Sequence, residues 1–403
     1  MKIVQINAVH TIRSTGRQVV ELCDFYRSKN HECTIAFSIG EKIENTYKIG
    51  NSIDRRIHAF LSRLFGNQGY YSKRSTKKFI NFLKTYKPDI VHLNNLHANY
   101  INLKLLLNYL ACHDIPTVIT LHDCWFYTGK CTHYTLKSCY RWKKSCGNCP
   151  QLKTDNVSWI FDRTSKTLND KKKLINNIPR LAVVGVSRWI TSEARQSILK
   201  DATFITNVYN WIDLNVFRSV KSNNSQKYPN LENKYILIGV ASSWGVSKGL
   251  DVFLKLSDEL SEDEVILLVG NLPKSTKLND RILNIKEIDD VQELVKLYSM
   301  SDVFVNLSTE ESFGKVTVEA LACGLPVITN NHTANPEIIN ERCGIILNDI
   351  KVDKILEALK IIRANTKEYY SSYCRDWVEK QFKYQDKAQD YLNLYKRLVG
   401  SGD

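Results

Sequence analysis

The sequence predicts an α/β protein made of two doubly wound parallel sheets. Three observations carry that prediction. Apolar runs of strand length alternate with stretches of helical spacing. The alternation starts again near Tyr235, so the chain reads as two such units in tandem. The length of 403 residues suits two domains, because domains usually run to ~100–200 residues.

The elements follow in order. Lys2–Asn7 is an apolar strand; Gly16 follows, then a helix over Arg17–Lys29 with Val20, Leu22 and Phe25 on its apolar side. Cys33–Phe37 reads as a second strand. Asp89–Leu93 and Pro116–Leu121 are strands preceded by helical material, and Leu181–Val186 is another. This βαβ rhythm is that of a parallel sheet covered by helices. The second half repeats it with strands at Tyr235–Ala241, Val265–Gly270, Val303–Asn306 and Pro326–Thr329. Its helices are Lys248–Leu260, Val291–Met300, Lys315–Cys323, Ile350–Asn365 and Val378–Leu398. The polar stretch Ser219–Asn233 is the linker candidate. The expected domains are 1–205 and 206–375, with a terminal helical segment 376–403. Ligands of doubly wound folds bind beyond the carboxyl ends of the strands, so two facing sheets place the site between the domains.

Composition narrows the classes. Hydrophobic residues make up 43% and charged residues 24%, ordinary for a soluble globular chain. No apolar run approaches the ~18 residues of a membrane span, and the N-terminus has no signal-peptide organisation, so a cytosolic protein is expected. The formal net charge of +14 fits nucleic acid, an anionic membrane, phosphorylated ligands or simply a Lys-rich surface. Eleven cysteines without a secretion signal argue against a disulfide framework. Cys23, Cys33, Cys112, Cys323, Cys343 and Cys374 read as core filler, and the other five crowd into Cys124–Cys149.

The strongest motif is the string from Ser308 through Glu311, Phe313, Gly314, Lys315 and Glu319 to Gly324-Leu325-Pro326. Glu311 and Glu319 bracket seven residues around a loop-to-helix junction. Free N–H groups at a helix start suit phosphate or sugar oxygens, and Gly314 lets backbone approach a ligand. Either glutamate alone also fits an acidic helix start. After the strand at Tyr235 comes Ser243-Trp244-Gly245-Val246-Ser247-Lys248-Gly249. In the first half, Asn7–Arg17 joins strand to helix through Gly16. Asn94, Asn95 and His97 end one strand; His122 and Asp123 end the next.

Together these strings resemble the nucleotide-sugar signature of the family 4 retaining glycosyltransferases. Glu293, Leu294, Tyr298 and Ser301–Val305 also match. The resemblance implies the GT-B fold, with two Rossmann-like domains about a cleft and C-terminal helices packing back toward the first. It implies that Glu311 touches the transferred sugar and Glu319 the ribose. Phe313, Gly314 and Lys315 would line the donor pocket, Lys248 would hold the diphosphate, and Gly16 and Arg17 would reach the donor. His122 matches the family's catalytic-cleft histidine, with Asn95, His97 and Asp123 on the acceptor side. Two departures stand out. Ser243 occupies the place of an arginine that would share the diphosphate charge, a loss one hydroxyl does not replace; Arg17 is the substitute to test. Asn94 stands where relatives often carry histidine.

Thr120-Leu121-His122-Asp123-Cys124-Trp125, with Thr128-Gly129-Lys130-Cys131, resembles the colanic-acid, capsule and O-antigen branch. Cys131, Cys139, Cys146 and Cys149 form a four-thiol set ending in Cys-x-x-Cys. A structural zinc is expected there; two disulfides or free thiols are the alternatives. No Asp-x-Asp occurs, so no catalytic metal is expected. Ser52–Phe65 puts Ile53, Ile57, Phe60, Leu61 and Leu64 on one helical face. That face is expected in the core, with the nearby cations making weak contact with an anionic membrane.

The expected function is retaining transfer from a UDP- or GDP-sugar to a polyprenyl-diphosphate-linked saccharide acceptor in bacterial surface polysaccharide synthesis. The alternatives are a sugar-nucleotide epimerase of the same fold and a zinc-containing nucleic-acid binder.

Overall fold

The structure is a computed structural model that describes residues 1–220, 227–286, 288 and 290–400. It divides into two compact units, Met1–Val208 with the chain from Ala388 on, and Tyr209–Lys387. Within the expected linker, residues 221–226 lie outside the described residues.

The first unit runs β1 (Lys2–Ile6), α1 (Arg13–Ser28), β2 (Glu32–Phe37), β3 (Thr46–Lys48), α2 (Ser52–Phe65), α3 (Lys73–Tyr86), β4 (Ile90–Leu93), α4 (Leu103–Cys112), β5 (Thr117–Leu121), α5 (Thr164–Asn176), β6 (Leu181–Gly185), α6 (Arg188–Arg195) and β7 (Phe204–Asn207). The sheet order is β3-β2-β1-β4-β5-β6-β7, and every pairing is parallel. Strands β4, β5 and β6 are buried along their whole length, which is why they read as mainly apolar runs, broken only by the buried His92, Thr117 and Thr120, rather than as polar–apolar alternation. Asn102 and Ser187 cap α4 and α6 by accepting from the N–H of Leu105 and Ile190, satisfying donors that the helices leave open.

The second unit runs β8 (Tyr235–Ser243), α7 (Leu250–Asp258), β9 (Glu264–Asn271), β10 (Ile282–Ile285), α8 (Val291–Met300), β11 (Val303–Asn306), α9 (Lys315–Ala322), β12 (Val327–Asn330), α10 (Asn335–Ile338), β13 (Gly344–Leu347) and α11 (Val352–Phe382). Its parallel sheet has the order β10-β9-β8-β11-β12-β13. The final helix α12 (Tyr384–Val399) gives its residues from Ala388 on to the first unit. There Tyr395 meets His92 Nδ1 at 2.5 Å, and Tyr391 meets Thr120 at 3.0 Å.

Three expectations need correcting. The terminal helices lie differently: the first ends where expected, at a kink on Thr366 (φ 62, ψ 161) just past Asn365, but the chain is then helical again up to Phe382 and once more over Tyr384–Val399, where a single helix Val378–Leu398 was expected. Cys23 and Cys33 are not separate core filler but a disulfide joining α1 to β2. The apolar residues Ile53, Ile57 and Phe60 of α2 are exposed, and the helix buries His58 and Ser62 instead.

Candidate functional site

In each unit the strand order reverses beside the first strand, between β1 and β4 and between β8 and β11. Loops leaving neighbouring strands in opposite directions open a crevice at that point. In the second unit these are the loops after β8 and β11, which carry Lys248 and Glu311.

The two loops are tied together. Thr309 N–H donates to Ser247 O at 3.0 Å. Gly249 has φ +73, and a Cβ there would lie 2.5 Å from Leu307 Cβ, so only glycine fits this approach. Lys248 Nζ and Glu311 Oε1 form an ion pair, with side chains 30% and 16% exposed. The Glu311 backbone is fixed by its N–H to Thr333 Oγ1 at 3.0 Å. Beneath the loop lies a buried amide network. Asn306 Nδ2 donates to Thr317 Oγ1 at 3.0 Å, and Asn335 Nδ2 to Ser308 O at 2.7 Å and Asn330 Oδ1 at 3.0 Å. Asn330 Nδ2 also donates to Ser308 O, at 2.9 Å. These asparagines set the path of the loop, and no sequence motif announced them; their one visible signal is that Asn306 and Asn330 each end an apolar strand.

Gly314 starts α9 at φ +88 with no side chain capping the helix. Lys315 is the first helical residue and half-buried. Phe313 is buried against Phe382 and Tyr209, with ring centroids 5.6 and 6.1 Å away, so its side chain anchors the loop. Ser312 Oγ is buried without a hydrogen-bond partner among the described residues. Glu319 is buried in α9 and accepts from Tyr298 OH at 3.3 Å. Ser243 ends β8, exposed, in register with Asn271.

In the first unit the candidates collect at the carboxyl ends of β1, β4 and β5. His122 Nε2 lies 3.0 Å from Asn94 Oδ1, and Asn95 N–H donates to Asn7 Oδ1 at 3.1 Å. His97 Nε2 pairs with Asp123 Oδ2 at 2.9 Å. Burial opposes protonation of His97, but the Asp123 carboxylate outweighs it and raises its pKa. Burial likewise opposes ionisation of Asp123, and His97 with the Trp125 N–H outweighs it and lowers the pKa. Gly16 packs against the loop after β1, where a Cβ would meet Val9 Cγ2 at 3.1 Å and His10 backbone at 3.2 Å. Arg17 is exposed on α1.

Between β5 and α5 the described chain has only one short 3₁₀ turn, Arg141–Lys143. Cys131, Cys139, Cys146 and Cys149 all line one cavity of about 20 Å³ there. Among the described residues, no group of three or more His, Cys, Asp or Glu side chains is arranged to hold a metal ion. Lys171 is buried beside this loop, donating to Trp125 O at 2.5 Å and Thr128 O at 3.1 Å; burial pulls its pKa down to about 7.

Two parallel sheets with polar loops at their switch points define a GT-B type architecture. The family comparison agrees: residues 15–216 match the model described as Glycosyltransferase Family 4, and residues 234–365 that described as Glycosyl transferases group 1. The chain belongs to glycosyltransferase family 4 and is a glycosyltransferase. It is 29% identical over 245 residues to the N-acetyl-alpha-D-glucosaminyl L-malate synthase of Bacillus anthracis, a match covering 55% of this chain and 62% of that relative. It is 22% identical to the putative colanic acid biosynthesis glycosyl transferase WcaC of Escherichia coli K12, over 83% of this chain and 81% of that one. Among solved structures, a sucrose-phosphate synthase from Thermosynechococcus elongatus superposes with a TM-score of 0.72 at 16% identity, over 100% of both chains. Anabaena Alr3699/HepE in complex with UDP-glucose gives a TM-score of 0.65 at 15% identity, over 99% of this chain and 100% of that one.

Proposed function

We propose that this chain transfers a sugar from a UDP- or GDP-sugar, with retention of anomeric configuration, to a polyprenyl-diphosphate-linked saccharide in bacterial surface polysaccharide synthesis. The Lys248–Glu311 ion pair at the second unit's switch point carries this reading. A donor diphosphate competes for the Lys248 ammonium. That releases the Glu311 carboxylate to accept from sugar hydroxyls, while the uncapped start of α9 faces the anion. Charge-assisted hydrogen bonds of this kind strengthen as the leaving diphosphate gains charge. His122 is assigned to the transferred sugar, and Asn95, His97 and Asp123 to the acceptor. The relatives named for colanic acid and O-antigen synthesis support the polysaccharide role. A panel of nucleotide-sugars, each with and without saccharide acceptors, tests the reaction. Acceptor-dependent release of nucleoside diphosphate with a retained anomer is expected; an epimerised donor formed without acceptor would replace transfer by epimerisation.

A structural zinc in the cysteine loop is a separate proposal. Its support is the spacing and the shared cavity; the four thiols must turn inward to meet one ion. Metal analysis by mass spectrometry of the purified chain is expected to find one zinc per molecule, released when the thiols are blocked. A metal-free, fully active protein refutes it.

A further inference from the structure

Helix α2 carries its apolar side outward. Ile53, Ile57 and Phe60 follow helical spacing and are 52–64% exposed, while the side chains it buries are the polar His58 and Ser62. The burial of His58 is specific: it meets Ser72 Oγ at 2.9 Å and accepts from Gly69 N–H at 3.2 Å. The outward orientation is therefore fixed by polar contacts underneath.

A second segment completes the patch. Trp159, Ile160 and Phe161, from the loop before α5, are 44–59% exposed. Trp159 N–H donates to Arg63 O at 2.6 Å. Phe60 packs edge-on against Trp159 at 5.8 Å, and Phe65 stacks on Phe161 at 6.4 Å. Gly66 ends α2 at φ +68, where a Cβ would lie 2.1 Å from Phe161 O. The two segments thus form one preassembled apolar surface.

Its rim is basic. Arg56, Arg63 and Lys153 are exposed, and the Arg163 guanidinium sits 5.5 Å from the Phe161 ring centroid. Residues 51–87 hold nine Lys and Arg against one acidic residue, Asp54. Exposed Trp, Phe and Ile beside cations are the composition of segments that lie in a bilayer interface. A second copy docked on the same patch would bring two basic rims together, an unfavourable pairing.

We infer that α2 and residues 159–161 dock this chain on an anionic phospholipid surface. The apolar side chains enter at the headgroup–acyl boundary, and Arg56 and Arg63 meet lipid phosphates. This stands apart from the proposed reaction: vesicle binding without sugar transfer would keep it and remove the other.

The test is co-sedimentation of the full chain with vesicles of phosphatidylcholine alone or mixed with phosphatidylglycerol, at low and high salt. Wild type is expected to pellet with the anionic vesicles. Ile57→Gln combined with Trp159→Ser is expected to lower that partition at least tenfold, and Arg56→Glu with Arg63→Glu to lower it as raised salt does. Each variant's melting temperature is checked against wild type, and Ile53→Gln serves as an independent patch variant. Wild type remaining in the supernatant, or folded patch variants pelleting as wild type does, overturns the inference. So does a wild-type dimer that the patch variants convert to monomer without any vesicle binding.

Discussion

The carboxyl ends of the two sheets share a topology and differ in chemistry. The second unit presents opposite charges, Lys248 and Glu311, on a loop braced by buried asparagines. The first presents amides and imidazoles, with the His97–Asp123 ion pair beside the Trp125 ring. On the proposed reading, one switch point holds the charged diphosphate and the other orients hydroxyls. The same fold rule therefore locates both sites without making them equivalent.

The largest expected effect breaks the charged side. Lys248→Ala is expected to cut kcat/KM about 100-fold or more, the scale of losing one transition-state donor. Glu311→Gln is expected to lower kcat in the same assay. Wild-type rates in either variant refute the assignment.

Next comes acid sensitivity, which belongs to the first unit. Burial lowers the His58 pKa to about 4 and that of His92 to about 3, from 6.5. Below pH 6.5 the unfolded chain takes up these protons and the folded chain does not. Stability is therefore complete above 6.5 and falls as pH drops toward 4 and 3, by ~3 kcal/mol for His58 alone. Denaturant melts across this range check it; His58→Gln is expected to flatten the slope.

Asn335→Leu tests the amide network. It leaves Asn306 and Asn330 short of partners and is expected to cost ~1–3 kcal/mol of stability, read from the denaturation midpoint. The smallest effect is local. Asp123→Asn removes the carboxylate that raises His97, leaving burial, so the His97 pKa is expected to fall below 6.5 when followed by NMR.

The strands were legible because parallel strands buried on both faces are mainly apolar runs; strand Val303–Asn306 matches its expected bounds, as does helix Val291–Met300. Short, partly exposed β3 and β10 carry no such signal. Periodicity told which residues of α2 share a side but not that the side faces outward, because the polar anchor at His58 comes from Ser72 and Gly69. The motif residues were legible as types at fixed spacing. The asparagine network was not, because it is assembled from the ends of separate strands and one short helix.

The central claim is that Lys248 and Glu311 hold a nucleotide-sugar. Calorimetric titration of UDP- and GDP-sugars into wild type, Lys248→Ala and Glu311→Gln tests it most directly. Binding of one donor by wild type, weakened at least tenfold in Lys248→Ala, is the predicted result; equal affinity in all three proteins would contradict it.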